Sequence, residues 1–481
     1  MVDIGITSYG THIPRYRLSR KTISTAMGWL NQGTLPGEKA VANHDEDSLT
    51  MAVAAGMDCL ERSEQMKIDS VYFASTTPPY QERESAAILA AALDIHTNIR
   101  TADFAGSLKA GTSAILSAYD CLKGEGARSI LVCASDCRLG KPGSFQESLF
   151  GDGAVAFSFG TDGVIASLEG SYSVSYDFPD YRRSGGDKFV RTVEDRFIRE
   201  EGYAKFVAEA ISGLLRRYEL EAKDFAKVAY PCLNVREHAS IGKRLGFQPS
   251  QIQEPLLTAI GESGVASPMM LLAAMLEEAK PGDNILLTSY GNGADALFFK
   301  ITDEIKKAKG KGSLKGCLAS KKELTNYEQY LVFRGILPVE TGFGGDVATT
   351  QLPLTWRERK EIIALCGSLC KRCGTPHYPP QRICVNPACG TVDEMEDYRF
   401  SDKRGTLFSY TADHITASIK PPLLYGMIDF QGGGRYVFEL TDCEFDSLKI
   451  GMPIEMSLRR KYFDESRGIV GYFWKAIPIK E

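Results

Sequence analysis

Five cysteines packed between Cys366 and Cys389 constrain this chain more than any other feature. Cys370-Lys371-Arg372-Cys373 and Cys384-Val385-Asn386-Pro387-Ala388-Cys389 form two short loops, each closed by a cysteine pair, with ten residues between them. A glycine follows each pair, Gly374 and Gly390, and lets the backbone turn tightly. Four thiolates at such spacing suit a tetrahedral Zn²⁺ and leave no open position for water, so the expected role of the ion is structural. Cys366 and His377 are nearby spare donors, but neither fits the pairing as well. The bland reading is four reduced core thiols, which paired loops with trailing glycines disfavour. The N-terminus lacks the basic start and apolar core of a secretion signal, so a metal in a cytoplasmic protein is expected rather than disulfides.

At 481 residues the chain exceeds the roughly 250–300 at which one hydrophobic core stops growing, so several domains are expected. Over 1–303, strand-like apolar runs alternate with helix-period stretches, the pattern of layered α/β architecture. Strands are expected at Met1–Ile6, Ser70–Ala74, Ser129–Cys133 and Val155–Phe159, and helices at Asp47–Arg62 and Gly111–Lys123. The order of elements recurs. Ile130–Ser135 followed by Gly151–Ala156 corresponds to Ile285–Tyr290 followed by Gly291–Ala296, which predicts a duplicated fold. Lysines 306, 307, 309, 311, 315, 321 and 322 mark a solvated linker over 304–350. That linker holds a helical piece at Asn326–Phe333 and the glycine-rich Thr341–Gly345. A zinc ribbon over 351–400 comes next. Alternating runs such as Leu407–Tyr410 and Tyr436–Leu440 then predict a small β-barrel over 401–481. A net charge of −5 offers no footprint for nucleic acid. The most apolar stretch, Ala86–Leu93, is too short to cross a membrane.

Several stretches of the N-terminal region resemble, in order, those of HMG-CoA synthases and of the related β-ketoacyl-carrier-protein synthases III, in the thiolase superfamily. They are Asp45-Glu46-Asp47-Ser48-Leu49-Thr50-Met51-Ala52, Lys109-Ala110-Gly111-Thr112-Ser113-Ala114, Lys141-Pro142-Gly143 with Gly151-Asp152-Gly153-Ala154, and Ser289-Tyr290-Gly291-Asn292-Gly293. The resemblance implies a thiolase-like αβαβα fold, normally a homodimer, with a tunnel for the pantetheine arm. The two cysteine loops, Tyr378-Pro379-Pro380 and the strand after Gly405 are similar to the zinc-ribbon and OB-fold domain that accompanies archaeal thiolases and HMG-CoA synthases. There the domain helps hold or pass the CoA-linked substrate. OB-folds also bind nucleic acid, but the acidic balance makes that the lesser reading.

In that family a cysteine at a helix N-terminus attacks the acyl thioester, and a histidine and a glutamate (or asparagine) handle the oxyanion and protons. Carried over position by position, the cysteine before Lys-Ala-Gly-Thr is Leu108 here, and the glutamate ahead of Pro-Tyr is Thr76. The histidine of His-x-x-Asn is Pro231, which keeps only Asn234, and the asparagine of the synthase III branch is Glu262. Leucine cannot form a thioester. Ser107 and Cys232 neighbour the lost positions, and adjacent side chains point elsewhere; Cys232 reads as a small buried hydrophobe. Glu262 is either a carboxylate entering an apolar tunnel, where it acts as a base, or a surface acid near a helix start. Tyr80, Tyr230 and Tyr290 are candidate proton donors set against core roles, and His44 and His238 read as structural.

The expected function is an acyl-CoA enzyme that makes or breaks a carbon–carbon bond without an acyl-cysteine, of aldol or retro-aldol type. Glu262, Asn234 and Tyr290 are its expected catalytic groups, with Leu108, Thr76, Lys109 and Gly111 along the substrate and backbone amides near Lys109 polarising it. Zn²⁺ on Cys370, Cys373, Cys384 and Cys389 is structural, and a CoA thioester is the substrate. The alternatives are a catalytically silent acyl-CoA-binding subunit supporting a thiolase partner, and a working HMG-CoA synthase.

Overall fold

A computed structural model describes residues 3–30, 35–62, 67–308, 313–340 and 350–479. Met1, Val2 and the glycine-rich Thr341–Gly345 lie outside them. The chain forms two compact units: Met1–Asn43, Asp47–Leu89 and Thr97–Tyr330 in the first, His44–Glu46, Ala90–His96 and Leu331–Glu481 in the second.

The first unit is built on one nine-stranded sheet in the order Arg100–Phe104, Ser70–Ala74, Ser129–Asp136, Gly153–Gly160, Gly5–His12, Ala166–Ser175, Gly293–Ile301, Asn284–Tyr290, Lys227–Ala229. Its two halves repeat one plan. Gly153–Gly160 runs antiparallel between Gly5–His12 and Ser129–Asp136, and the latter is parallel to Ser70–Ala74. In the other half Gly293–Ile301 runs antiparallel between Ala166–Ser175 and Asn284–Tyr290, which is parallel to Lys227–Ala229. The duplication read from the sequence is therefore present in strand order and direction. The halves join where Gly5 and Ile6 pair with Ser167 and Ala166. A Cβ on Gly5 would lie 2.0 Å from the Ala166 carbonyl oxygen, so only glycine allows this approach.

Helices complete five layers. Ser48–Glu61 covers the outer face of the first half-sheet and Ala204–Arg217 that of the second. Ala110–Lys123 and Ala266–Glu278 pack on each other, and the latter contacts strands of both halves. Met269 to Leu276 is apolar on all sides, as a helix between two sheets must be, and every one of those side chains is buried. Burying each Leu or Met contributes about 1.5–3 kcal/mol. Asp47 starts the outer helix Ser48–Glu61: its carboxylate accepts from Thr50 N at 2.9 Å and its own N–H donates to Thr50 Oγ1 at 2.8 Å.

The lysine-rich stretch is not a spacer up to Tyr330. Helices Ile305–Ala308 and Ser313–Ala319 precede Lys322–Glu323, which pairs with Tyr16–Arg17, and Leu314, Leu324, Tyr327 and Tyr330 are buried. Lys306, Lys307, Lys315 and Lys321 are exposed, while Leu314, Leu324, Tyr327 and Tyr330 enter the core. Charge composition alone concealed that spacing.

In the second unit, strands Pro376–His377, Cys366–Cys370 and Met395–Arg399 form a three-stranded sheet in that order. A five-stranded sheet follows, ordered Arg435–Glu439, Leu423–Phe430, Gly405–Asp413, Pro453–Asp464, Ile469–Pro478. Leu440 bridges Ala476, bringing the two edges together as an OB-fold barrel requires. Burial alternates residue by residue along Leu423–Phe430, so one face fills the barrel, where Trp474 is fully enclosed. Among the described residues no helix is long and apolar enough to cross a membrane.

Candidate functional site

The turn Ser107–Lys109 opens the central helix Ala110–Lys123. Ser107 Oγ donates to the Gly291 carbonyl at 2.8 Å, and a Cβ on Gly291 would stand 2.8 Å from Leu108 N. The Ser289–Gly293 turn thus lies directly against the helix start. Lys109 Nζ reaches Asp295 Oδ1 at 3.2 Å, and Thr112 Oγ1 meets Asp295 Oδ2 and Ser289 Oγ at 2.7 Å each. Gly111 allows the two central helices to cross, because a Cβ there would be 2.4 Å from Met269 Sδ. Two of the amides expected to polarise a substrate close this turn instead: Lys109 N donates to Ser107 Oγ and Ala110 N to Ser107 O. Leu108 is half-buried at the turn.

Asp136, at the end of a fully buried strand, ties the surrounding loops together. It accepts from Thr76 N (2.7 Å), Thr77 N (3.0 Å), the hydroxyls of Ser75, Thr76 and Thr77 (2.9–3.1 Å), and Val265 N (3.0 Å). Thr76 therefore spends its hydroxyl on Asp136.

The same loop carries Glu262, which is buried, 5 % exposed, and not at the surface. Its Oε2 pairs with Arg138 Nη1 at 2.7 Å and its Oε1 accepts from Gly264 N at 2.9 Å. Burial raises the Glu262 pKa; Arg138 opposes the rise and Asp136 adds to it. Arg138 lies over the rings of Phe150 (4.1 Å) and Tyr181 (5.1 Å). On the other flank of Tyr181, burial and then Asp180 push the Tyr290 hydroxyl well above its ordinary pKa, so it stays protonated. Asp180 is itself raised by burial, with the Tyr290 hydroxyl opposing. Tyr290 stands edge-on to Tyr203, ring centroids 5.6 Å apart.

Glu262, Thr76, Gly111 and the Leu108–Lys109 turn thus fall in one contiguous region, and Tyr290 borders it through Tyr181. Asn234 plays a local part: its Oδ1 caps the helix Val235–Arg244, accepting from Arg236 N and Glu237 N at 3.0 and 3.2 Å. Cys232 packs with Leu149, Phe150 and Leu257, and burial raises its thiol to about 12, the inert hydrophobe expected. Tyr230 donates to the His238 carbonyl at 2.8 Å, while burial lowers His238 to about 4. Tyr80 accepts from Arg83 Nη1 at 2.9 Å, and His44 packs on Phe333. Sequence reading missed Asp136, Arg138, Asp180 and Asp295. An acid closing the apolar run Ile130–Ser135 was a readable signal for Asp136; Arg138 carries no such local mark.

In the second unit the sulfurs of Cys370, Cys373, Cys384 and Cys389 lie within 4.8 Å of one another, with Cys370–Cys389 at 3.8 Å and Cys373–Cys384 at 3.5 Å. The edge of a tetrahedron with Zn–S bonds of about 2.3 Å is roughly 3.8 Å, so the donor set fits such an ion. Gly374 and Gly390 take φ of +70° and +55°, the left-handed turns their positions predicted. Cys366 lies elsewhere, its Sγ 3.6 Å from Asp94, and His377 Nε2 accepts from Val385 N.

Residues 398–459 match the family described as the C-terminal OB-fold domain of ChsH2. The structure resembles a crystal structure of HMG-CoA synthase complexed with CoA, at TM-score 0.62 and 20 % identity, over 73 % of this chain and 94 % of that one. It also resembles 3-oxoacyl-(acyl carrier protein) synthase III from Pseudomonas aeruginosa, at TM-score 0.57 and 17 % identity, over 62 % and 98 %. In sequence it is 32 % identical to the hydroxymethylglutaryl-CoA synthase of Methanopyrus kandleri over 320 residues, 65 % of this chain and 91 % of that relative. The enzyme of the same name from Methanobrevibacter smithii is 31 % identical over 342 residues, 69 % of this chain and 99 % of that relative. Likeness at this level over nearly the whole of both relatives, on a duplicated five-layered scaffold, makes this chain a member of the hydroxymethylglutaryl-CoA synthase family.

Proposed function

We propose that the chain makes or breaks a carbon–carbon bond beside a CoA thioester by aldol chemistry, without an acyl-cysteine intermediate. The observation that carries this reading is Leu108 at the helix start, with the buried Arg138–Glu262 ion pair in the same region and the buried hydroxyl of Tyr290, one residue before the glycine that abuts Leu108, held protonated. In the cleavage direction a base takes the proton from the 3-hydroxyl, the C2–C3 bond breaks, and a ketone or aldehyde departs. The electron pair passes to the thioester enolate, which is then protonated at C2. Glu262 is the proposed base and Tyr290 the proposed donor to the developing enolate oxygen, since burial holds Tyr290 protonated. Thr76, Lys109, Gly111 and Leu108 shape the substrate's path, and Asn234 acts by fixing the helix behind Tyr230. The four cysteines hold a structural Zn²⁺.

The test is incubation of the pure protein with a panel of 3-hydroxyacyl-CoAs and detection of released ketone or aldehyde. Absence of product across the panel would shift the reading to a silent acyl-CoA-binding subunit. A second reading, hydroxymethylglutaryl-CoA synthase itself, is favoured by the names of the relatives at 31–32 % identity. It needs a thiol that accepts acetyl groups, and acetyl-CoA with acetoacetyl-CoA is the assay that separates the two.

A further inference from the structure

We infer that Gly202, in a single π-helical turn, is a positioning residue: it leaves the Tyr290 hydroxyl the space to stand where a substrate oxygen meets it. This rests on the aldol reading above, in which Tyr290 donates to the enolate oxygen. The helix that runs from Asp195 to Arg217 is α-helical except over Ile198–Tyr203, where it widens into a π turn. Such turns are rare and cluster at functional sites. Here the wider turn keeps Ile198 and Tyr203, five residues apart, both buried, with Glu200 and Glu201 outside. Gly202 is turned inward with Tyr203, and a Cβ on it would lie 2.6 Å from the Tyr290 hydroxyl and 2.5 Å from the Phe178 ring.

The backbone itself does not ask for glycine. Gly202 is not among the glycines with positive φ, and alanine is the better helix former. Phe178 has room to yield, because it stacks at 5.0 Å on Phe197, which is 42 % exposed. Tyr290 has none. It is 3 % exposed, edge-on to the fully buried Tyr203, whose hydroxyl donates to the Pro231 carbonyl, and its other neighbour is the ring of Phe206. Asp180 faces the Tyr290 hydroxyl, yet no acceptor stands in hydrogen-bonding geometry to it among the described residues. A buried phenol normally has a partner, so the missing acceptor belongs to the substrate.

A double-mutant cycle on the full chain tests this, with whichever 3-hydroxyacyl-CoA the panel shows to be cleaved. Gly202→Ala displaces the hydroxyl by about 1 Å and should lower kcat about 10- to 100-fold while KM stays within about twofold. In a Tyr290→Phe background the atom it strikes is gone, so the same change should lower the residual kcat by less than about twofold. Near-normal kcat for Gly202→Ala, or an equal loss in both backgrounds, overturns the inference and leaves the aldol reading standing. Thermal melts cover a failure to fold. If Gly202→Ala does not fold, the double variant with Tyr290→Phe should, and a double variant that also fails overturns the inference. If the wild type cleaves no ester of the panel, the aldol reading falls and takes this inference with it.

Discussion

At the scale of single residues, Leu108 decides which chemistry is open. Its side chain has no lone pair to attack a thioester, and the buried Cys232 has its thiol held protonated at about 12. Mass spectrometry after incubation with acetyl-CoA should therefore show unmodified protein. An adduct on any thiol would replace the aldol reading with the synthase one. Glu262 is the complementary test. Glu262→Gln keeps an oxygen for Arg138 but cannot take up the substrate's proton, so turnover should fall about 100-fold or more. The variant should also melt at a lower temperature, because Arg138 keeps its charge without its counter-ion. Near-normal turnover would remove Glu262 from the mechanism. Its position was legible from its motif, but its partner was not. Arg138 lies 124 residues away, and only the packing of the Ser129–Asp136 strand end against the Glu262 loop brings them together.

Elements were legible where their signals are local. The paired cysteine loops determine their own geometry within 20 residues, as do the capping box at Asp47 and the alternation along Leu423–Phe430. If four thiolates hold a structural ion, Cys373→Ser should release metal and unfold the ribbon while helix content elsewhere is retained. Metal analysis with circular dichroism reads both, and full zinc content in the variant would exclude Cys373 as a ligand. The lysine-rich stretch shows the opposite case. Its strand Lys322–Glu323 exists because Tyr16–Arg17 offers an edge to pair with, which no local composition reveals. Asp136 belongs at this scale too, since its carboxylate joins the Ser75–Thr77 loop to Val265. Asp136→Asn turns an acceptor for six donors into a group that also donates, and should cost about 2–3 kcal/mol in thermal melts.

For the whole molecule, the second unit draws three residues, His44–Glu46, from near the N-terminus. Arg459, fully buried, pairs with Asp45 (3.2 Å), Glu46 (3.0 Å) and Asp442 (2.6 Å), and Lys475 pairs with Asp45 (3.1 Å) and Glu439 (2.9 Å). The Arg459–Asp45 contact spans 414 residues, so the acidic segment Asp45–Asp47 could be read as a motif but not as one half of an ion cluster. Burial alone would raise the Asp45 pKa, yet Lys475 and Arg459 pull it far below the usual carboxylate range. A carboxylate lowered in the folded state adds stability that is complete above its unfolded value, near 3.9, and is lost as pH falls toward the folded one. Lys475 is raised, so its share is complete below about 10.4 and lost as pH rises through the higher folded value. Stability from this cluster should therefore be level between about pH 4 and 10. Asp45→Asn should destabilise the protein by about 3 kcal/mol at pH 7, because it leaves Arg459 and Lys475 short of counter-charge. That gap should narrow steadily as pH drops below about 4, where Asp45 of the unfolded chain gains its proton while the folded one stays ionised. Melting curves of the two proteins from pH 7 to pH 2 measure it, and a gap that stays constant across the range would mean that Asp45 contributes by packing and not by charge.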